Sequence, residues 1–191
     1  MQVTENIKKI LRDPTNFFAG VKDEDMGPAF KYYAIISLIP LVITAIVSMI
    51  AISVITTYMA GIIQSPFSPF LVFMGPAGGI VTGIVTYIIL LVGVLVGSVI
   101  LHIFVYLVGG RKGFSNTFKS MAYGATPSVL LGWVPFLNII FGLWSWYLEI
   151  KGISILHEIS TGRAFVATVI PIILVPVSYT HLRAHETSLH L

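Results

Sequence analysis

The sequence predicts an all-α integral membrane protein, a bundle of five transmembrane helices with a short amphipathic N-terminal helix. Three observations carry this expectation. Only 10% of the 191 residues are charged, against about 25% in soluble proteins. Hydrophobic residues make up 56% before the 17 glycines are counted, and the mean hydropathy is +0.93. No charged residue interrupts the chain from Tyr32 until Arg111. A soluble globule of this size cannot cover so much apolar surface with so few polar groups. An ordinary cytosolic enzyme, a disordered chain and a collagen-like chain are excluded. The expected organisation is a cytoplasmic amphipathic segment over 1–30, a membrane domain over 31–177 and a tail over 178–191.

At the N-terminus Val3, Ile7, Ile10 and Leu11 share one helical face with lysines beside them. Asp13-Pro14 then has the form of an N-cap with proline at the first helical position, opening a turn that carries Phe17 and Phe18. Such a piece either lies in the cytoplasmic headgroup layer or packs as an N-terminal cap. The first span is expected from Tyr32 to Ile63, longer than the roughly 20 residues needed to cross. The stretch 64–79 holds three prolines and three glycines, which predicts an outer loop or interfacial turn. A second span covers Ile80 to Val108, a third Ser115 to Val134, a fourth Pro135 to His157 and a short fifth Ala164 to Val177. The fifth gives only about 21 Å of helix against a core of roughly 30 Å. The polar run that follows, with three of the five histidines, reads as a foreign tail appended to a cut helix. It carries no functional weight.

Basic residues set the expected orientation. Lys8, Lys9, Arg12, Lys22 and Lys31 precede the first span, Arg111 and Lys112 follow the second, and Lys151 and Arg163 flank the last loop. The intervening turns carry no Lys or Arg. This alternation fits five spans with the N-terminus cytoplasmic and the C-terminus outside. The net charge of +3 is scattered rather than clustered, so nucleic acid is not an expected partner. The lipid bilayer is, together with other membrane proteins or further copies of the chain. The absence of cysteine removes disulfides, thiolate metal sites and a cysteine nucleophile.

Small residues form the clearest pattern. Gly79, Gly83, Gly93 and Gly97 recur on one face of the second span, and Ser120, Gly124, Ser128 and Gly132 repeat every four residues in the third. Such faces let helix backbones approach within a bilayer, so all eight are candidate helix-packing positions. Asn138, Gly142, Ser145 and Glu149 mark a polar and small stripe on the fourth span. An intramembrane carboxylate normally faces the bundle interior. With His102 and Lys119 approaching its depth, Glu149 and Asn138 complete a candidate intramembrane polar site. The bland alternative is a Glu149–Lys119 or Glu149–Lys151 interaction near the interface.

Enzyme signatures fail on inspection. His157-Glu158 begins like a zincin motif, but Thr161 stands where its second histidine belongs. There is no nucleophile elbow and no Walker loop. Asp23-Glu24-Asp25 lacks calcium-loop spacing and reads as a solvated turn. No catalytic set, cofactor site or metal site is expected.

Several motifs in order resemble one family. Asp13-Pro14-Thr15-Asn16-Phe17-Phe18 is similar to the P-x-x-FF approach to the first span of prokaryotic YIP-family proteins (Ypt/Rab-interacting membrane proteins). Gly109-Gly110-Arg111-Lys112-Gly113-Phe114, Phe118 and Ala122-Tyr123-Gly124-Ala125-Thr126-Pro127 resemble its third span. Pro135, Trp144, Gly152, His157, Ser160 and Ala164 resemble its fourth span and loop. The resemblance runs from about Leu11 to Pro171, and its specificity lies in the order of the motifs. It implies a five-helix bundle in a prokaryotic cell membrane, acting as a scaffold or interaction protein without catalysis. GTPase binding, known of eukaryotic relatives with longer arms, does not transfer to the roughly 30 residues before the first span. The alternative is a small-solute or ion transporter working through Glu149.

Overall fold

The computed structural model describes residues 2–63, 66 and 68–173, and among these the chain is helical without strands. The elements are α1 (Gln2–Arg12), α2 (Pro14–Gly20), α3 (Met26–Ile36), α4 (Leu38–Ile63), α5 (Ser68–Leu107), α6 (Phe114–Gly124), α7 (Thr126–Leu131) and α8 (Leu137–His157). A shorter apolar helix, α9 (Thr161–Ile173), follows. The expected foreign tail, 178–191, lies outside the described residues.

Asp13 caps α2: its Oδ1 accepts from the Asn16 N–H at 3.1 Å, and Pro14 takes the first helical position. That cap folds α2 back so that Phe17 and Phe18 are buried. Phe17 meets Tyr123 edge-on, with ring centroids 4.9 Å apart. Ile10 and Phe18 are both fully buried. Through these residues the arm packs onto the core of the chain.

Helices α3 and α4 form one apolar run, Met26–Ile63, interrupted only at Ser37. Pro40 explains the interruption, since a proline ring clashes with the carbonyl four residues back, here that of Ile36. The expected loop over 64–79 requires correction, because α5 begins at Ser68 and continues through Pro76. Gly75, Gly79 and Gly83 face Ser53, Met49 and Ala45 of α4. A Cβ on Gly75 would stand 2.6 Å from the Ser53 Cα, and one on Gly83 would stand 2.6 Å from the Ala45 Cβ. The glycines that would break a helix in water here let two backbones pack antiparallel. Proline and glycine are tolerated in membrane helices for this reason.

The expected third span, Ser115 to Val134, is also corrected: it divides into α6 and α7. Pro127 removes the N–H that would bond the Tyr123 carbonyl, and the Thr126 hydroxyl donates to that carbonyl instead, at 2.6 Å. Neither piece is long enough to cross alone. Among the described residues three stretches are long and apolar enough to span a membrane: Met26–Ile63, Ser68–Leu107 and Leu137–His157. The expected count of five is thus not reproduced by unbroken helices, and 174–177 of the fifth segment lie outside the described residues. Helix α6 is the hub. Eight of its eleven residues are buried, packed among α2, α3, α5 and α8.

Candidate membrane-embedded polar site

The buried face of α6 carries polar groups at Thr117, Lys119 and Ser120, and each has a partner. The Lys119 ammonium donates to the carbonyls of Val21 at 2.8 Å, Lys22 at 2.8 Å and Glu24 at 2.7 Å. An ammonium has three protons to donate, so this geometry satisfies all of them. The acidic turn Asp23-Glu24-Asp25 adds favourable charge around it. Lys119 thereby pins the α2–α3 turn to the bundle.

Two residues earlier, the Thr117 hydroxyl sits between two imidazoles, 2.8 Å from His102 Nδ1 and 2.9 Å from His157 Nε2. A hydroxyl has one proton, so it donates to one ring and accepts from the other. The pair of bonds joins α5, α6 and α8. His157 is buried and its Nδ1 has no partner among the described residues. The sequence reading named His102 and not Thr117. The available signal was that Thr117 shares a helical face with Ser120 and Gly124.

Small residues align α6 and α7 with α8. A Cβ on Gly124 would lie 3.0 Å from the Glu149 Cα, and one on Gly152 would lie 3.0 Å from the Ser120 Cβ. The Ser128 N–H donates to Ser145 Oγ at 2.9 Å, and its hydroxyl donates to the Phe141 carbonyl at 3.1 Å. Gly97 packs against Met121 on α6. Two of the eight candidate packing residues behave otherwise. A Cβ on Gly132 would strike its own helix at the Ser128 carbonyl, and one on Gly93 would find nothing within 4 Å. Gly132 ends α7, and Gly93 faces open space.

The four residues of the candidate polar site are not brought together. His102 is bonded to Thr117, Lys119 to backbone carbonyls, and Asn138 lies exposed at the opposite end of α8. Glu149 has neither an ion pair nor a hydrogen bond among the described residues, so neither expected lysine interaction forms. It lines two adjoining cavities, of about 450 Å³ and 250 Å³, which share Met121, Trp146 and Glu149. No group of three or more metal-ligating side chains occurs among the described residues.

Near the end of α8, Glu158 takes ion pairs from Lys112 and Lys22, stitching three loops together. These bonds, Lys112 first, hold its carboxyl down from the usual 4.5 to about 2. A depressed carboxyl contributes stability above its unfolded value and loses it as pH falls through the folded one. The melting midpoint of wild type should therefore exceed that of Glu158→Gln above pH 4.5 and converge with it as pH approaches about 2. A gap independent of pH across that window would exclude the ion pairs as its cause.

Comparison with known families gives a match to the Yip1 domain over residues 8–180. No curated protein and no solved structure matches the chain. The matched stretch takes in the capped α2 turn, the α6 hub and all three apolar stretches long enough to span. On that coverage the chain belongs to the Yip1 domain family.

Proposed function

We propose that this family member is a non-enzymatic membrane scaffold or interaction protein of a prokaryotic cell membrane, with five spans, a cytoplasmic N-terminus and an external C-terminus. The observation that carries it is the use of the buried polar groups: Thr117, Lys119 and Ser128 each bond across to another element. Bonds of this kind join the helices into one body. Membrane organisation through protein contacts needs only a rigid, well-joined body.

The five-span count is supported by register. Ser120 lies against Gly152, Gly124 against Glu149, and Ser128 against Ser145. The broken pair α6–α7 thus runs antiparallel beside α8 across three successive turns. If α8 crosses the bilayer, its partner crosses with it. Helix α9 then supplies the start of a fifth span. Because the chain has no cysteine, single cysteines placed near 22, 66, 111, 134 and 161 can be labelled from either side without background. Labelling at 22, 111 and 161 from one side and at 66 and 134 from the other is expected; 111 and 134 on the same side would overturn the count.

Glu149 favours the second reading, a small-solute or ion transporter, since unpaired intramembrane carboxylates mark substrate paths. Flux in proteoliposomes separates the two. A scaffold leaves the vesicles tight over a broad panel of ions and small solutes, and Glu149→Gln changes nothing. Flux present in wild type and absent in Glu149→Gln would replace the scaffold with the transporter.

A further inference from the structure

Glu149 sits where the packing leaves a gap. Its backbone lies against Gly124, which places the carboxyl at the side of α6, in a groove between α5 and α8. Met121 forms part of the floor, Gly93 belongs to the α5 wall, and Gly142 and Trp146 belong to the α8 wall. Beyond Glu149 the smaller lobe is closed by Thr168, Pro171 and Ile172 of α9. The Trp146 indole is fixed by donating to Thr168 Oγ1 at 3.0 Å.

Two features of this groove ask for an occupant. A Cβ on either Gly93 or Gly142 would find nothing within 4 Å. Glycine in a helix interior costs about 1 kcal/mol relative to alanine, and at these two positions no close helix approach offsets it. They keep the groove wide. The second feature is the carboxyl itself, the one charged group among the described residues that line either lobe. A lone carboxylate facing hydrocarbon is costly, and either a proton or a cation that meets it relieves that cost.

The chemistry narrows that cation. A hard metal ion needs several oxygen ligands, and among the described residues no second carboxylate lines either lobe. A partner helix, roughly 10–12 Å across with its side chains, does not fit lobes of about 450 and 250 Å³. Those volumes suit a small organic molecule. We infer that the α5–α8 groove binds a membrane-dissolved amphiphilic amine, its ammonium paired with Glu149 and its alkyl chain laid along the glycine-opened walls. Binding of this kind is compatible with a scaffold and with a transporter, so it stands or falls apart from the flux experiment.

The test uses Trp146 as the reporter. In nanodiscs, the Trp133→Phe/Trp144→Phe protein keeps Trp146 as its single tryptophan, and ω-bromoundecylammonium quenches it on contact. Matched bromoundecanol and bromoundecyl sulfate, at equal membrane mole fraction, report partitioning alone. The expected result is saturable quenching by the ammonium probe, reversed by unbrominated undecylammonium and weakened at least about tenfold in Glu149→Gln. Gly142→Leu, which fills the groove without touching the carboxyl, should also abolish saturation while the melting midpoint holds. Quenching that is unsaturable, or equal for the alcohol and the ammonium, would overturn the site. So would saturable quenching by the sulfate, or retention of full affinity in Glu149→Gln.

Discussion

Replacing Lys119 by methionine should destabilise the protein by about 2 kcal/mol or more, although the two side chains are close in volume. The substitution keeps the buried stem and removes the ammonium. It leaves the carbonyls of Lys22 and Glu24 without their donor, and that of Val21 with only the Glu24 N–H at 3.2 Å. Each buried acceptor left unpaired costs about 1–3 kcal/mol. Two of the three bonds are only partly buried, so water recovers part of the loss and the lower end of the sum is the right expectation. The α2–α3 turn should loosen first, because only the single Glu24 N–H to Val21 bond remains on those carbonyls. Denaturation in detergent, read together with hydrogen exchange at residues 21–25, checks both points. A loss under about 1 kcal/mol with unchanged protection would show that the ammonium is not the clasp.

That clasp was not legible in the sequence, and the reason is distance along the chain. Lys119 and Val21 are 98 positions apart, and nothing local to either indicates a backbone carbonyl as partner for a buried lysine. The sequence-level pairing with Glu149 followed from charge alone, and geometry sends the two side chains apart. Features set by neighbouring residues were legible. The Asp13-Pro14 cap depends on residues within one turn, and α8 depends on a mostly apolar stretch of the right length. The loop expected over 64–79 failed because glycine and proline were weighed as they act in water. Against the α4 backbone, the same glycines are contact points. Pro127 gives the opposite lesson. It stands inside the expected third span as a candidate helix break, and it is what divides α6 from α7.

The glycines of α5 supply the sharpest contrast, since the sequence places Gly79 and Gly93 in one repeating face. Gly79→Ala should destabilise the α4–α5 pair by about 1–3 kcal/mol. Its Cβ would fall on the backbone of Met49, and neither main chain can yield without separating the helices. Gly93→Ala meets no atom within 4 Å, so only helix propensity acts, and the variant should be neutral or gain up to about 1 kcal/mol. The difference arises because α5 is 40 residues long, about 60 Å at the ordinary helical rise. One end runs against α4, and the other passes α6 and the open groove. A periodic small-residue face therefore serves different partners along its length, and sequence spacing cannot say which. Melting both variants in the same detergent, with spin labels reporting the α4–α5 separation, decides the matter. Equal destabilisation by the two would mean that Gly93 packs against protein after all and that the groove is closed. A silent Gly79→Ala would mean that the close α4–α5 approach does not hold the hairpin together.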